Sequence, residues 1–305
     1  MSDALTPVAK PGYLWTRFRR SPLAMTAAAV TLLIVGGALL APLLASQNPF
    51  DPAALDLSNG LFKPAWLEGG DARFLLGSDD QGRDMLSALL YGSRISLLVG
   101  VASVLFAAVM GVAVGLIAGY AGGWIDTLAM RLADVQLTIP AILIALMVDG
   151  LARATLQPAV HEAAAIYVLI FSIGIADWPQ YARIVRAATA VQKTLGYVSA
   201  ARVMGVPAPV IVFKHILPNV LTSVMVLATL GLALAIISEA TLSFLGVGMP
   251  PTAPSLGTLI RIGNNFLFSG EWWITLFPSL TLVILALAVN MLGDWLRDAL
   301  NPKLK

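Results

Sequence analysis

The chain has 305 residues, of which 58% are hydrophobic and 12% are charged, and its formal net charge is +2. Soluble domains carry about 25% charged residues, so this composition excludes a soluble enzyme and a disordered chain and indicates an integral membrane protein. With no cysteine and two histidines, disulfide chemistry and a histidine-rich metal site are excluded, and the small net charge gives no support for nucleic-acid binding.

Long uncharged stretches predict the membrane spans, because a hydrocarbon core of roughly 30 Å requires ~20 apolar residues of helix. Four stretches are long enough: 21–50, 95–125, 215–238 and 272–293. We interpret the first as a retained anchor, since it is too long for the apolar region of a signal peptide.

Two shorter uncharged stretches are ambiguous. Residues 135–148 and 163–176 each contain 14 residues without a charge, so each is either a short span extended by its flanks or a re-entrant segment. Hydropathy alone therefore predicts four to six spans.

The distribution of basic residues predicts the orientation. With six spans, the inside segments hold 13 of the 19 Lys and Arg residues and the outside segments hold 6; the inside segments are 1–20, 126–134, 177–214 and 294–305. An excess of Lys and Arg marks the cytoplasmic side, so both termini are predicted to be cytoplasmic. The predicted organisation is a cytoplasmic tail, 1–20, and a membrane domain, 21–305, with an external loop at 51–94 and a cytoplasmic loop at 177–214.

The sequence lacks the usual motifs of catalysis. It has no phosphate-binding loop, no H-E-x-x-H and no G-x-S-x-G, so neither ATP hydrolysis by that route nor a zinc or serine hydrolase is predicted. His161 is placed in a polar loop and His215 at the cytoplasmic edge of a span, which disfavours an intramembrane protease. No acid is predicted in mid-span, and Glu239 is interpreted as an interfacial, solvated carboxylate, which disfavours an ion relay.

The cytoplasmic loop contains a short predicted helix with a defined end. The run from Tyr197 to Gly205 reads YVSAARVMG; its centre favours helix, and Gly205 is suited to the left-handed residue that follows a helix. Pro207 and Pro209 prevent continuation, and Pro218 either begins or kinks the next helix. The candidate site residues here are Tyr197, Ser199, Ala200, Ala201, Arg202, Gly205, Leu217 and Pro218.

Two further features are an acidic turn just before the second predicted span and a glycine series within that span. An acidic turn on the outer side contains Asp79, Asp80, Arg83 and Asp84, which can cross-link by local hydrogen bonds. Within the span, a glycine occurs at every fourth position, at Gly111, Gly115, Gly119 and Gly123, and this spacing predicts a face for close helix packing.

Several motifs in order resemble one protein family. The segment SAARVMG followed by Leu217-Pro218 resembles the E-A-A-x-x-x-G…L-P loop of ABC importer permeases, with Ser199 in place of the usual acid. The stretches LGSDDQGRD (76–84), EATLSFLGVG (239–248) and LGDWLRD (292–298) are similar to those of the peptide/nickel permease subfamily, and FRRSPLA (18–24) resembles its N-terminus.

This resemblance covers about residues 15–305 and implies an all-α permease of the type I ABC importer class, with six transmembrane helices. It implies a C-type subunit in the bacterial inner membrane that forms half of a translocation path. Peptides are the expected substrate, and importers of nickel, opines and glutathione share the same motifs. Residues 196–206 would couple it to the ATPase.

The implied partners are a second homologous permease, two ATP-binding subunits that hold ATP and Mg²⁺, an external solute-binding protein and membrane lipid. The acidic turn is either a self-stabilised loop or a contact for the binding protein or the second permease. No cofactor is implied in this chain. The alternative is a membrane scaffold or assembly subunit without a transport path of its own.

Overall fold

A computed structural model describes residues 13–300, and its regular elements are helical apart from one isolated bridge between Ser78 and Asp84. The helices are α1 (Tyr13–Arg19), α2 (Pro22–Leu39), α3 (Ala41–Leu44), α4 (Met85–Ala121), α5 (Gly123–Leu137), α6 (Ala141–Thr155), α7 (Pro158–Gln192), α8 (Gly196–Val203), α9 (Ala208–Val210), a π-helical segment (Ile211–Ile216), α10 (Leu217–Phe244), α11 (Leu256–Asn264) and α12 (Trp273–Leu300), with short 3₁₀ helices at Pro52–Ala54, Leu57–Asn59 and Leu267–Ser269. Most of the predicted tail, 1–12, and the segment 301–305 lie outside the described residues.

Five helical segments are long and apolar enough to cross a membrane: α2, α4, α7, the continuous stretch Ala208–Phe244, and α12. The pair α5 and α6 has the composition of a span but is bent by 91° between the two helices. Pro140 stands at this bend, where a proline ring cannot continue the preceding helix. The described residues therefore contain five spans, or six if the bent pair crosses as one.

The second span begins earlier than predicted. It was expected at 95–125, but α4 begins at Met85, so the last ten residues of the predicted external loop 51–94 are helical. Asp84 fixes this start, because its carboxylate accepts a hydrogen bond from the Ser87 backbone N–H at 3.0 Å.

The cytoplasmic loop predicted at 177–214 is shorter than expected and mostly helical. The ambiguous stretch 163–176 is the centre of α7, which has 35 residues and continues through Gln192. The following span begins at 208, whereas hydropathy placed it at 215. Asp177 consequently lies well inside a membrane-crossing helix, and the expectation that no acid occupies such a position is wrong.

Close packing of α4 on α7 forms the centre of the fold. A Cβ atom on Gly111 would lie 2.7 Å from the Trp178 carbonyl oxygen, and one on Gly115 would lie 2.6 Å from that of Ala182. Gly119 meets Thr189 in the same way, at 2.7 Å from its Cβ. These three glycines therefore allow the two backbones to approach directly.

Gly123 does not belong to this face, contrary to the prediction. Gly122 adopts a φ of +70°, which ends α4, and Gly123 starts α5, where an added Cβ would meet no atom within 4 Å. The four-residue spacing continues in the sequence to Gly123, but α4 ends at Ala121, so Gly123 no longer lies on the same helix face.

The ends of the spans show which segments share a side of the membrane. The Arg17 guanidinium donates to the Asp298 carbonyl at 3.2 Å, so the beginning of α2 and the end of α12 are neighbours. Near the other end of α2, Gly37 packs against Leu90 in the first turns of α4. The end of α4 therefore lies on the same side as the residues next to both termini.

Candidate functional site

The short helix predicted between Tyr197 and Gly205 is α8, and its end has the geometry expected of a glycine stop. Gly205 has a φ of +76°, and its N–H donates to the Arg202 carbonyl at 3.0 Å. The Val206 N–H donates to the Ala201 carbonyl, also at 3.0 Å. This pair of bonds is a Schellman motif, which satisfies carbonyls that would otherwise be orphaned at the helix end.

The two sides of α8 differ in exposure. Val198 and Ala201 are buried against the rest of the protein. On the other side Val203 is 90% exposed and Met204 is 74% exposed, and Ser199 and Ala200 are exposed as well. We call these four exposed residues, three of which are apolar, the α8 surface. With eight residues, α8 is too short to cross a membrane.

Basic residues around α8 attach it to the end of α4. The Lys193 ammonium donates to the Tyr120 carbonyl at 2.6 Å, and the Arg202 guanidinium lies over the Tyr120 ring at 5.5 Å from its centroid. A cation is favourable at this position, because the last carbonyls of α4 carry the negative end of its dipole. Two contacts therefore join the α8 region to the end of α4.

Tyr197, Leu217 and Pro218 lie where α8 meets the start of the next span. Pro218 has no N–H, and the preceding π-helical turn absorbs this defect through a bond from the Leu217 N–H to the Val212 carbonyl. Asn219 Nδ2 donates to the His215 carbonyl at 2.7 Å, and the Tyr197 hydroxyl lies 3.4 Å from the same Asn219 nitrogen. Pro218 thus distorts a continuous helix and does not separate two helices.

The acidic turn that precedes α4 is buried and connected to a distant loop. Asp79 Oδ1 accepts from the backbone N–H groups of Gln81 and Arg83 at 2.9 Å, and Asp79 Oδ2 pairs with Arg83 Nε at 2.8 Å, both side chains being fully buried. Burial raises the pKa of the Asp79 carboxyl, an effect that the Arg83 guanidinium opposes. Arg83 Nη1 also donates to the Pro251 carbonyl at 2.9 Å, so the turn is fixed to the loop after α10.

The other two acids of the turn have different roles. Asp84 caps α4 and also accepts from the Ser46 hydroxyl at 3.0 Å, which attaches the end of the first span to the second. Asp80 is half-buried, and its Oδ1 has no hydrogen-bond partner within residues 13–300. Local cross-linking is therefore observed for Asp79, Arg83 and Asp84, and three of the four candidates are structural.

Glu239 is fully buried, so its interpretation as a solvated carboxylate is wrong. Its Oε2 accepts from the Ser96 hydroxyl and its Oε1 from the Ser243 hydroxyl, each at 2.7 Å. The Leu256 N–H donates to Ser96 Oγ at 3.3 Å. Glu239 therefore joins α10, α4 and the start of α11, an arrangement that the sequence does not reveal because Ser96 lies 143 positions away.

His161 also differs from its predicted environment. It lies in the first turn of α7, is buried, and places its Nε2 3.1 Å from Asp149 Oδ1, while Asp149 Oδ2 pairs with Arg153 Nε at 2.6 Å. This cluster closes the turn between α6 and α7 and replaces the polar loop that the sequence indicated.

Two family models match the chain. The model described as a binding-protein-dependent transport system inner membrane component matches residues 111–305. This chain belongs to that family. The N-terminal transmembrane domain of oligopeptide transport permease C matches residues 12–64.

Named relatives extend the match to almost the whole chain. The dipeptide transport system permease protein DppC of Haemophilus influenzae is 39% identical over 95% of this chain and 94% of its own length. The di/tripeptide permease protein DppC of Pseudomonas aeruginosa is 38% identical over 95% and 91%. The glutathione permease protein GsiD of Pectobacterium atrosepticum is 38% identical over 95% and 90%.

A solved structure supports the fold. An inward-facing form of the MetNI methionine ABC transporter has a chain that matches with a TM-score of 0.55 at 21% identity, covering 71% of this chain and 98% of its own. The predicted resemblance is confirmed: this is an all-helical, multi-pass inner-membrane permease of an ABC importer with the type I fold, a transport component and not an enzyme. Such a permease works with an ATPase and a binding protein.

Proposed function

We propose that the chain is the C-type permease of an importer for di- and oligopeptides. It forms half of the translocation path, and a second homologous permease forms the other half. Two ATP-binding subunits complete the complex on the cytoplasmic side, and an external solute-binding protein delivers the peptide. The peptide substrate is supported by relatives that are named for dipeptide and di/tripeptide transport.

The exposure of Val203 and Met204 carries the coupling part of this proposal. Two large apolar side chains at 90% and 74% exposure, at the end of a rigidly stopped helix, have the character of a contact that is covered by a partner. The α8 surface docks on an ATP-binding subunit, and its connection to Tyr120 passes movement to α4.

The same proposal specifies six spans with both termini in the cytoplasm, the bent pair α5 and α6 crossing as the sixth. Arg17 and Asp298 lie on the side of the membrane where α4 ends beside α8. That side carries the excess of Lys and Arg, which favours the cytoplasm.

This chain has no nucleotide-binding role in the proposal. ATP and Mg²⁺ are held by the partner subunits, and no cofactor is bound here. The alternative, a scaffold without a path of its own, predicts assembly with the ATPase but no effect of this chain on substrate passage.

Cysteine cross-linking tests the docking directly, because the native chain contains no cysteine. Met204→Cys is expected to form a cross-link with a cysteine on the ATP-binding subunit and to respond to ATP. Met147→Cys is the matched control, since Met147 is 69% exposed but lies on α6. The complex reconstituted in vesicles should import a labelled dipeptide; cross-linking equal to that of the control, or assembly without uptake, contradicts the proposal.

A further inference from the structure

Asp177 is a carboxylate within the apolar part of a membrane-crossing helix. Between Glu162 and Arg183 lie 20 residues of α7, and Asp177 is the only charged one among them. Twenty helical residues extend about 30 Å, which is the thickness of the hydrocarbon core. Asp177 is six residues, about 9 Å, from the end marked by Arg183.

A small cavity of about 100 Å³ opens beside Asp177, between α6, α7 and α10. Its other side-chain oxygens come from Ser238 and Thr241 of α10, and aliphatic side chains such as Ala145 and Ile173 form much of its remaining wall. The Thr241 hydroxyl donates its proton to the Ile237 carbonyl at 2.8 Å, so its lone pairs remain available as acceptors. The Asp177 carboxylate and the Thr241 oxygen can therefore accept hydrogen bonds from a donor group that enters the cavity.

The Asp177 carboxylate has no hydrogen bond or ion pair within residues 13–300. The contrast with the other acids of this region is clear: Asp149 is paired with Arg153 and His161, and Glu239 accepts from two serine hydroxyls. An ionised carboxylate in an apolar layer is costly unless a cation pairs with it. Asp177 is only half-buried, so a group entering from outside the chain can reach it.

We propose that Asp177, together with Ser238 and Thr241, forms a site for the protonated amino group of the peptide in transit. This inference rests on the proposed peptide-import function. A primary ammonium has three donors and one charge, which match the oxygens of the cavity. The cavity has room for an ammonium group and its adjoining carbon. Only the charged end of the peptide needs to enter the cavity for this contact.

The test is a double-mutant cycle in which one change is made to the residue and the other to the substrate. It uses the complete importer reconstituted in vesicles. Uptake of Ala-Ala and of N-acetyl-Ala-Ala is measured with the native chain and with Asp177→Asn, each peptide at a concentration shown to saturate the binding protein. Either change alone is expected to reduce uptake at least tenfold. The two together should reduce it no further, because they remove the same contact. Asp134→Asn is the matched control; Asp134 is exposed on α5, and its replacement should leave uptake unchanged.

A third peptide distinguishes the two sources of a primary ammonium. N-acetyl-Ala-Lys retains only the side-chain amine; uptake near that of N-acetyl-Ala-Ala assigns the site to the α-amino group, and uptake near that of Ala-Ala assigns it to any amine. If Asp177→Asn prevents assembly, Asp177→Glu enters the same cycle, with the charge retained and displaced by one methylene.

If the mutation and the acetylation reduce uptake additively, the proposed ammonium site at Asp177 is wrong. It is also wrong if Asp177→Asn reduces uptake and acetylation has no effect, which identifies a basic group of the second permease as the partner of Asp177. Failure of the proposed function looks different: the native complex then imports neither peptide, and the loaded binding protein does not stimulate its ATPase.

Discussion

Gly205 determines how α8 ends. Its φ of +76° is a conformation that side chains with a Cβ rarely adopt, yet a Cβ added to Gly205 would meet no atom within 4 Å. A substitution there is therefore disfavoured by backbone strain of roughly 1–3 kcal/mol and not by a clash. The strain is relieved if the Schellman motif opens and the α8 surface moves.

Replacement of Gly205 should consequently uncouple transport without preventing assembly. We expect Gly205→Val to insert and assemble normally, to transport at least tenfold more slowly, and to lose the stimulation of ATP hydrolysis by loaded binding protein, with Gly205→Ala milder. Gly196→Ala is the control, because Gly196 also has open space around it but no positive φ. Uptake and ATPase activity are measured on the same vesicles; native uptake by Gly205→Val would remove α8 from the coupling path.

At the scale of the element, α4 and α7 pack closely because three residues of α4 at their contact are glycines and have no side chain. Gly111, Gly115 and Gly119 occupy one face of α4, and a Cβ added to any of them would lie closer than van der Waals distance to backbone or Cβ atoms of α7. The backbone of α7 cannot yield without moving the whole helix. Any side chain on this face therefore separates the two helices.

We expect Gly115→Leu to reduce the yield and thermal stability of the purified complex. Overpacking typically costs 1–3 kcal/mol, and contact with backbone places this position at the upper part of that range. Gly36→Leu on α2 is the matched control, since a Cβ at Gly36 meets nothing within 4 Å. The measurement is the unfolding temperature together with the size-exclusion profile; equal behaviour of the two variants would mean that α4 and α7 do not pack through this face.

The elements were predictable from sequence where one local signal decides them. Uncharged length identifies α2, α4, α10 and α12, and Gly205 with the following prolines identifies the end of α8. The full length of α7 was not predictable, because Asp177 interrupts the uncharged run, although the helix continues through it to Gln192. Glu239 was misinterpreted for a related reason: its serine partner Ser96 lies 143 positions away.

At the scale of the whole molecule, α4 connects the two faces of the membrane. Its 37 residues extend about 56 Å. Its first turn is preceded by the acidic turn, which Arg83 fixes to the loop after α10, and its last turn contacts Lys193 and Arg202 of the α8 region through Tyr120. In the proposed importer, the contacts with the binding protein and with the ATPase would therefore lie at opposite ends of the same helix.

This arrangement requires the acidic turn and α8 to lie on opposite sides of the membrane. Single cysteines in the cysteine-free chain test it, at Trp66 in the external loop and at Val203 on α8, which are 55% and 90% exposed. A membrane-impermeant thiol reagent added to intact cells should label Trp66→Cys and should label Val203→Cys only after permeabilisation. Val203 belongs to the α8 surface, so the labelling is carried out in cells that lack the ATP-binding subunits; access across the membrane is then the deciding variable at both exposed positions. Labelling of Val203→Cys in intact cells would place α8 outside and reverse the orientation. The end of α4 would then lie outside as well, because Tyr120 is bonded to Lys193 just before α8.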